Sequence, residues 1–363
     1  MDDGIRVCSM CGCELYENET IEIYGEPLCD DCADEHTTTC DHCGEPIWND
    51  DSISDGRLTI CNFCYDDHYR RCESCGRLLT DDDVVWYNDL PYCERCYDDL
   101  DCEIEEYGYK PDPIFYGQGD RYFGVELEVD DGGKYEENAL RIKNAANFGG
   151  EHIYIKEDGS LDDGFEIVTH PMTLDYHMNK MYWEDILHEA VRLGYKSHMT
   201  ATCGLHIHVN RTALGDREYE QEAVISKILF FLEKHWSEML TFSRRTAKNM
   251  ERWAARYGME KTGKDILDKV KKGDYGRHVA VNLCPYSTIE FRIFRGTLKL
   301  NTLFATLQMV NAICDVALSM SEDEIDHQSW VDFVLSIQCP ELIQYLRERR
   351  LYVNEPVAET EEV

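Results

Sequence analysis

The chain has 363 residues, enough for two or three domains and one sizeable core. Its 72 acidic and 36 basic side chains give a formal charge of −36, which argues against nucleic-acid phosphates and anionic membranes as main partners, because both require clustered Lys and Arg. No apolar run reads as a membrane span, the start MDDGIRVCSM lacks the pattern of a secretory leader, and 43% hydrophobic residues exclude a mainly disordered chain, so a cytoplasmic protein is expected.

Fourteen of the 18 cysteines precede residue 103, and twelve of them form six C-x-x-C pairs with an internal period of 32 residues. The pairs combine into three sets: Cys8, Cys11, Cys29 and Cys32; Cys40, Cys43, Cys61 and Cys64; Cys72, Cys75, Cys93 and Cys96. Four thiolates at this spacing suit tetrahedral Zn²⁺, three structural ions in all, and Gly12, Gly44 and Gly76 permit the tight knuckle after each first pair. A unit of 32 residues buries too little apolar surface to fold alone, so metal binding would drive its folding. The alternative, a disulfide framework, needs a secreted context. Cys13 and Cys102 break the repeat and read as spare thiols.

Residues 1–106 carry 30 acidic and 6 basic side chains, and each Zn(Cys)₄ centre adds a formal −2. Such an array should prefer a basic protein partner over nucleic acid; a solvated face that only aids solubility is the bland alternative. The knuckle, hairpin and closing C-x-x-C resemble halves of LIM domains. That resemblance implies three LIM-like zinc ribbons, 8–39, 40–71 and 72–103, serving as protein-interaction modules.

Residues 107–120, with Lys110-Pro111-Asp112-Pro113 and three glycines, read as a linker. Beyond Arg121, strand-like alternation is predicted at 121–130, 152–157, 164–170, 203–210, 278–283 and 288–295. Helical periodicity is predicted at 134–147, 174–193, 217–242, 246–257, 264–272 and 301–320. The order implies an α+β domain over 121–320 with an antiparallel, half-exposed sheet, followed by C-terminal helices and a disordered tail within 321–363.

Five strands share one arrangement. Val125, Leu127 and Val129 oppose Glu126, Glu128 and Asp130; Phe165 and Ile167 oppose Glu166, Val168 and His170; Leu205, Ile207 and Val209 oppose His206, His208 and Asn210. Val279, Val281 and Leu283 oppose His278 and Asn282, and Ile289, Phe291 and Ile293 oppose Glu290 and Arg292. Side chains alternate along a strand, so each offers one apolar face to covering helices. A solvated polar face would favour Thr, Ser and Lys, whereas these carry Glu, His, Asn and Arg. If the strands adjoin, Glu126, Glu128, Glu166 and Glu290 converge with only Arg292 beside them, and such carboxylates repel unless cations offset them. Two Mg²⁺ would balance four carboxylates, and oxygen ligands with one imidazole suit Mg²⁺ or Mn²⁺.

The order of YFGVELEVD, EDGSLDDGFEIVTHP, CGLHIHVN and AVNLCPYSTIEFRIFRGTL resembles the glutamine synthetase and glutamate–cysteine ligase superfamily, closest to its amidoligase branch, often found in phages and prophages. The resemblance covers about 121–320 and omits the cysteine array. It implies an antiparallel half-barrel with helices on one face, ATP entering one end and substrates the other, and a carboxylate–amine ligase that uses ATP and Mg²⁺. By motif, Glu126 and Glu128 would each ligate one metal, Glu166 would complete the first site, and His206 and Glu290 would serve the ATP-side metal. Arg292 resembles the arginine that stabilises the transferred phosphoryl group, with Arg295 and Arg277 offsetting charge beside it. Asp158 resembles a ligand or amine base, Asp163 a substitute for a further metal carboxylate, and His208 stays open between substrate contact and sheet packing. The substrates implied are an amino acid, peptide or protein carrying the carboxylate and the amine. Absence of a G-x4-G-K-[ST] loop agrees with this family, in which metals and arginines hold the phosphates. Arg244 and Arg245 read as a solvated helix face, with a grip on phosphate or on a substrate carboxylate as the alternative. The competing reading is an inactive, ligase-like adaptor.

Overall fold

The computed structural model describes residues 6–15, 20–87, 90–98, 103–200, 202–273 and 275–352. The tail beyond Asn354 and Cys102 therefore lie outside the described residues. Two compact units are present, 1–101 and 102–363.

In the first unit each repeat is a knuckle, a hairpin and a short helix carrying the last cysteine. The second repeat illustrates the order: Ser52–Ser54 pairs with Thr59–Cys61, and Asn62–His68 follows, with the Cys61 sulfur accepting the Cys64 N–H at 3.4 Å. Gly12, Gly44 and Gly76 turn at φ +75°, +78° and +72°, and each donates its N–H to the carbonyl of the first cysteine of its set. The strand leaving one helix pairs with the next knuckle, Thr37–Thr39 with Pro46–Trp48 and Tyr69–Arg71 with Leu78–Thr80, so the repeats are chained by backbone bonds. Asp55 extends the chaining: its carboxylate accepts N–H groups of Arg57 and Leu58 and, from the third repeat, of Leu78. Burial opposes ionisation there, but these N–H donors hold the carboxyl down at about 2. At neutral pH, Asp55→Ala is expected to speed Leu78 amide exchange about tenfold, the scale of one lost hydrogen bond. Exchange unchanged from wild type would remove Asp55 from the junction.

The second unit is mixed α+β. Its strands are β1 (Ile104–Glu105), β2 (Phe123–Val129), β3 (Ile153–Lys156), β4 (Phe165–Thr169), β5 (Gly204–Asn210), β6 (Val281–Asn282) and β7 (Thr288–Arg295). They form one seven-stranded sheet in the order β1-β3-β4-β2-β5-β7-β6, antiparallel throughout except for the β1–β3 pair. The predicted apolar faces are the ones buried: Val125, Leu127, Val129, Phe165, Ile167, Ile207, Val209, Phe291 and Ile293 join helix residues such as Ile228, Phe231, Leu307 and Val310 in one core.

Predicted helices 174–193 and 217–242 are each two helices, Leu174–Asn179 with Trp183–Arg192 and Glu218–Lys234 with Trp236–Ser243, because Lys180 and His235 leave helical dihedrals. Predicted strand 278–283 keeps only Val281–Asn282, since the Ala280 N–H turns to the Ala255 carbonyl. Helix Leu300–Ser319 has the length and hydropathy of a membrane span, contrary to the sequence expectation, but 67% of that window is buried and it forms part of the core. Helices Glu322–His327, Trp330–Ser336 and Pro340–Glu348 join the same core.

The boundary expected at 106 shifts to 101, because Ile104–Glu105 is an edge strand on β3. The 107–120 segment is not a free connector: Tyr116 exchanges backbone bonds with Pro171 and Thr173, and Gly117, at φ +91°, passes so close to Thr173 that a Cβ would meet its hydroxyl at 2.1 Å. A chain beginning at Cys102 is thus expected to fold, whereas one beginning at Pro111 forfeits the buried Ile104 side chain, about 1.5–3 kcal/mol. Equal melting temperatures for the two would refute a stabilising β1.

Candidate metal and phosphate site

Strand register builds the site. Lys156 lies opposite Glu166, and Glu166 opposite Glu128, forming one row across β3, β4 and β2. Glu126 lies opposite His206, while Gly124, His208, Glu290 and Asn282 form another row across β2, β5, β7 and β6. An irregularity between Leu205 and Ile207 shifts the β5–β7 register. The rows therefore draw together, and His206 Nδ1 stands 3.4 Å from Glu126 and 3.6 Å from Glu290, with Nε2 3.7 Å from Glu128.

The result is two overlapping ligand groups, Glu126–His206–Glu290 and Glu128–Glu166–His206, each with donor atoms within 4.8 Å of one another. All five sequence-predicted ligands are thus brought together. The faces are not solvated; Glu128, Glu166, His206 and Glu290 are buried and Glu126 half-buried. Burial works against ionised Glu126, but His208 and His206 hold its carboxyl well below the usual range. Glu290 is likewise held low against burial by His208 and His206. Glu128 is pushed up by burial, against the pull of His206. His208, left open by the sequence, is an ion-pair member: its Nε2 is 3.2 Å from Glu126, its Nδ1 3.0 Å from the Thr288 hydroxyl, and its charged form is favoured by Glu126 despite burial.

The other predicted residues divide. Arg292 hydrogen-bonds Glu290 and is in the site, its buried Nε lacking an acceptor among the described residues. Asp158, half-buried at the start of a turn closed by the Ser160 N–H, acts on Glu128 by charge. Arg295 is half-buried near Arg245. Arg277 stands apart, exposed, bonded to the Tyr107 hydroxyl and 5.5 Å from that ring. Asp163 does not join the carboxylates; it is exposed, in a turn whose Asp162 and Asp163 N–H groups are taken by buried Asp130.

Lys156 escaped the sequence reading, which also left Asn282 and Arg245 without a place beside the ligands. Lys156 is buried with its ammonium 3.2 Å from Glu166, and Glu166 and Glu126 hold it charged against burial. The alternation of Ile153 and Ile155 with Tyr154 and Lys156 was the signal. Asn282 donates to Glu290 at 2.7 Å. Arg245 is a correction: far from a solvated face, it is buried, donates to the Phe294 carbonyl, and is lowered to about 10 by burial while interacting with Glu128. Arg244 also turns inward, donating to the Arg295 and Gly296 carbonyls. Arg245 thus interacts by charge with Glu128, Arg292 and Arg295, and Arg292 bonds Glu290, so two guanidinium groups, Arg245 and Arg292, stand with the carboxylates.

The donor chemistry fits a hard divalent ion at Glu126, His206 and Glu290, two carboxylates and an imidazole with the most open of the carboxylates among them. In the first unit the three predicted sets each bring four sulfurs within 4.8 Å, and the Cys11–Cys29 and Cys75–Cys93 sulfurs lie 3.8 and 3.9 Å apart. Zinc–sulfur bonds of about 2.3 Å in a tetrahedron place sulfurs about 3.8 Å apart, so the groups are compatible with zinc. All cysteines among the described residues are free.

A cavity of about 1000 Å³ lies elsewhere, between Glu218–Lys234, Gly263–Lys272 and the 283–287 turn; none of the metal-ligand candidates lines it.

The fold and site define a mixed α+β protein with a carboxylate–histidine centre and three four-cysteine clusters. No family model matches the chain, and no curated protein matches it. Among solved structures, a bifunctional glutathione synthetase from Pasteurella multocida is similar at a TM-score of 0.37 with 11% identity, over 63% of this chain and 46% of that one. This chain thus matches less than half of that enzyme's length, and a likeness of this strength carries no functional argument.

Proposed function

We propose that the second unit is an ATP-dependent carboxylate–amine ligase of the amidoligase type, on a glutamine synthetase-like sheet. The observation that carries the reading is the convergence of Glu126, Glu128, Glu166, His206 and Glu290 against Arg245 and Arg292. Mg²⁺ held by Glu126, His206 and Glu290 would polarise phosphate oxygens. Arg292, whose Nε–H has no acceptor among the described residues, and Arg245 and Arg295 offset negative charge on a transferring phosphoryl group. The substrate carboxylate attacks the γ-phosphorus, ADP leaves, and an amine then displaces phosphate from the acyl phosphate to give an amide. Asp158, near Glu128, is placed to take the proton that the amine loses. LIM-like zinc ribbons at 8–39, 40–71 and 72–103 recruit a basic protein, substrate or partner, to the acidic first unit.

Incubation with ATP, Mg²⁺, hydroxylamine and a pool of amino acids and peptides is expected to give hydroxamate and ADP in equal amounts. ADP without hydroxamate would point away from an acyl phosphate. Neither product, with ATP still bound, would favour the adaptor.

A further inference from the structure

The two overlapping ligand groups are unequal. Glu126 of the first retains 19% side-chain exposure, whereas Glu290 and the shared His206, like Glu128 and Glu166 of the second, retain 3–4%. A hydrated Mg²⁺ or Mn²⁺ keeps several waters and needs the more open group. Each group has two carboxylates of its own and shares His206, and the exposed Asp163 adds none to the second. In the first, Arg292 bonds Glu290 and the more open Glu126 remains for an ion; in the second, the buried Lys156 ammonium stands 3.2 Å from Glu166.

Charge leads to the same place. Glu126, Glu128, Glu166 and Glu290 supply four negative charges, and Lys156, Arg245 and Arg292 supply three fixed positive ones. One divalent ion leaves the centre at +1, and a second would leave +3 among buried groups, where uncompensated charge is costly. The expectation of two ions arose from counting Arg292 alone.

We infer that the Lys156 ammonium permanently takes the place of a second divalent cation beside Glu166, so that the resting centre binds one divalent ion, at Glu126, His206 and Glu290. This rests on reading the carboxylates as a divalent-metal centre and goes beyond it in setting the count and naming the residue that sets it. Lys156 is a positioning residue: it holds Glu166 and leaves the shared His206 to the single ion.

The test is Mn²⁺ binding to the full, zinc-loaded chain without nucleotide, read by loss of the free-ion paramagnetic resonance signal. Physiological salt suppresses loose binding to the acidic surface. Wild type is expected to bind one tight Mn²⁺, Glu126→Gln none, Lys156→Arg one, and Lys156→Met two. Glu166→Gln should still bind one, since Glu166 is not a ligand of the resident ion. Two ions in wild type, or a count that falls in Glu166→Gln, overturns the inference while leaving the metal-centre reading standing. A count that stays at one in folded Lys156→Met also overturns it. If Lys156→Met does not fold, the wild-type and Glu166→Gln counts decide. No tight Mn²⁺ in wild type overturns both the inference and the reading beneath it.

Discussion

Glu290→Gln is expected to lower ATP turnover by roughly 10²–10³-fold, the scale seen when one preorganised electrostatic contact is removed from an active site. Glu290 is a ligand candidate and also anchors Arg292 and Asn282, so the substitution loosens both the metal and the arginine facing the phosphate. Stability should fall as well. A carboxyl held below its ordinary 4.5 contributes stability that is present above that value and lost as pH falls through the lower folded one. Neutralising it at pH 7 leaves Arg292 and two imidazoles short of a partner, a loss of about 1.5–3 kcal/mol. Repulsion among carboxylates alone predicts the opposite; the cations around Glu290 reverse it. Glu128, raised by burial, obeys the other sign: its contribution is full below 4.5 and is lost as pH rises through the folded value. In metal-free protein, Glu128→Gln should therefore hold or raise the melting temperature at pH 7 and flatten its decline with rising pH. Melting curves of both variants, with and without Mg²⁺, check this. A Glu290→Gln protein that melts and turns over like wild type would make the cluster neither catalytic nor stabilising.

Metal analysis is expected to find three zinc ions per chain, and a strong chelator to unfold the first unit while the second keeps its own melting transition. The cores of the repeats are small: Ile23, Leu28 and Ala33 in the first, Ile47 and Ile60 in the second with Leu78 added from the third, and Leu79 in the third are their buried aliphatic side chains. Such cores fall far short of the entropy lost in ordering about thirty residues apiece. Structural zinc supplies roughly 10–16 kcal/mol per site at neutral pH, enough to dominate. The thiols are prepared for it: although burial opposes, backbone N–H groups of the knuckle hold Cys40 and Cys72 down at about 6. Circular dichroism during chelation and readdition of Zn²⁺ follows the transition. A count of one, or a first unit that keeps its structure after complete chelation, would refute the three-site account.

What could be read from the residues alone depended on local period. The 32-residue cysteine repeat names all three four-sulfur groups, because ligand spacing within a knuckle is short-range and each set closes within 25 residues, Cys8 to Cys32 for example. Alternation likewise identifies the buried faces, since period 2 is a property of a single strand. With the motifs in order, the ligand candidates Glu126, Glu128, Glu166, His206 and Glu290 were legible as a set.

Tertiary structure decided how those strands line up and what else stands beside them. Register between β3 and β4 sets Lys156 against Glu166, and no feature of IYIK alone names its neighbour. The fold of the 244–245 segment turns Arg245 inward, where a helical reading left it in solvent. The Asp130 carboxylate takes the Asp163 N–H in a turn apart from the cluster, and the pairing of Ile104 moves the domain boundary. Each is a contact between residues distant in sequence, and Coulomb energy depends on distance in space. Sequence therefore determined which charges this protein carries toward its centre, and the assembled sheet determined which of them face one another.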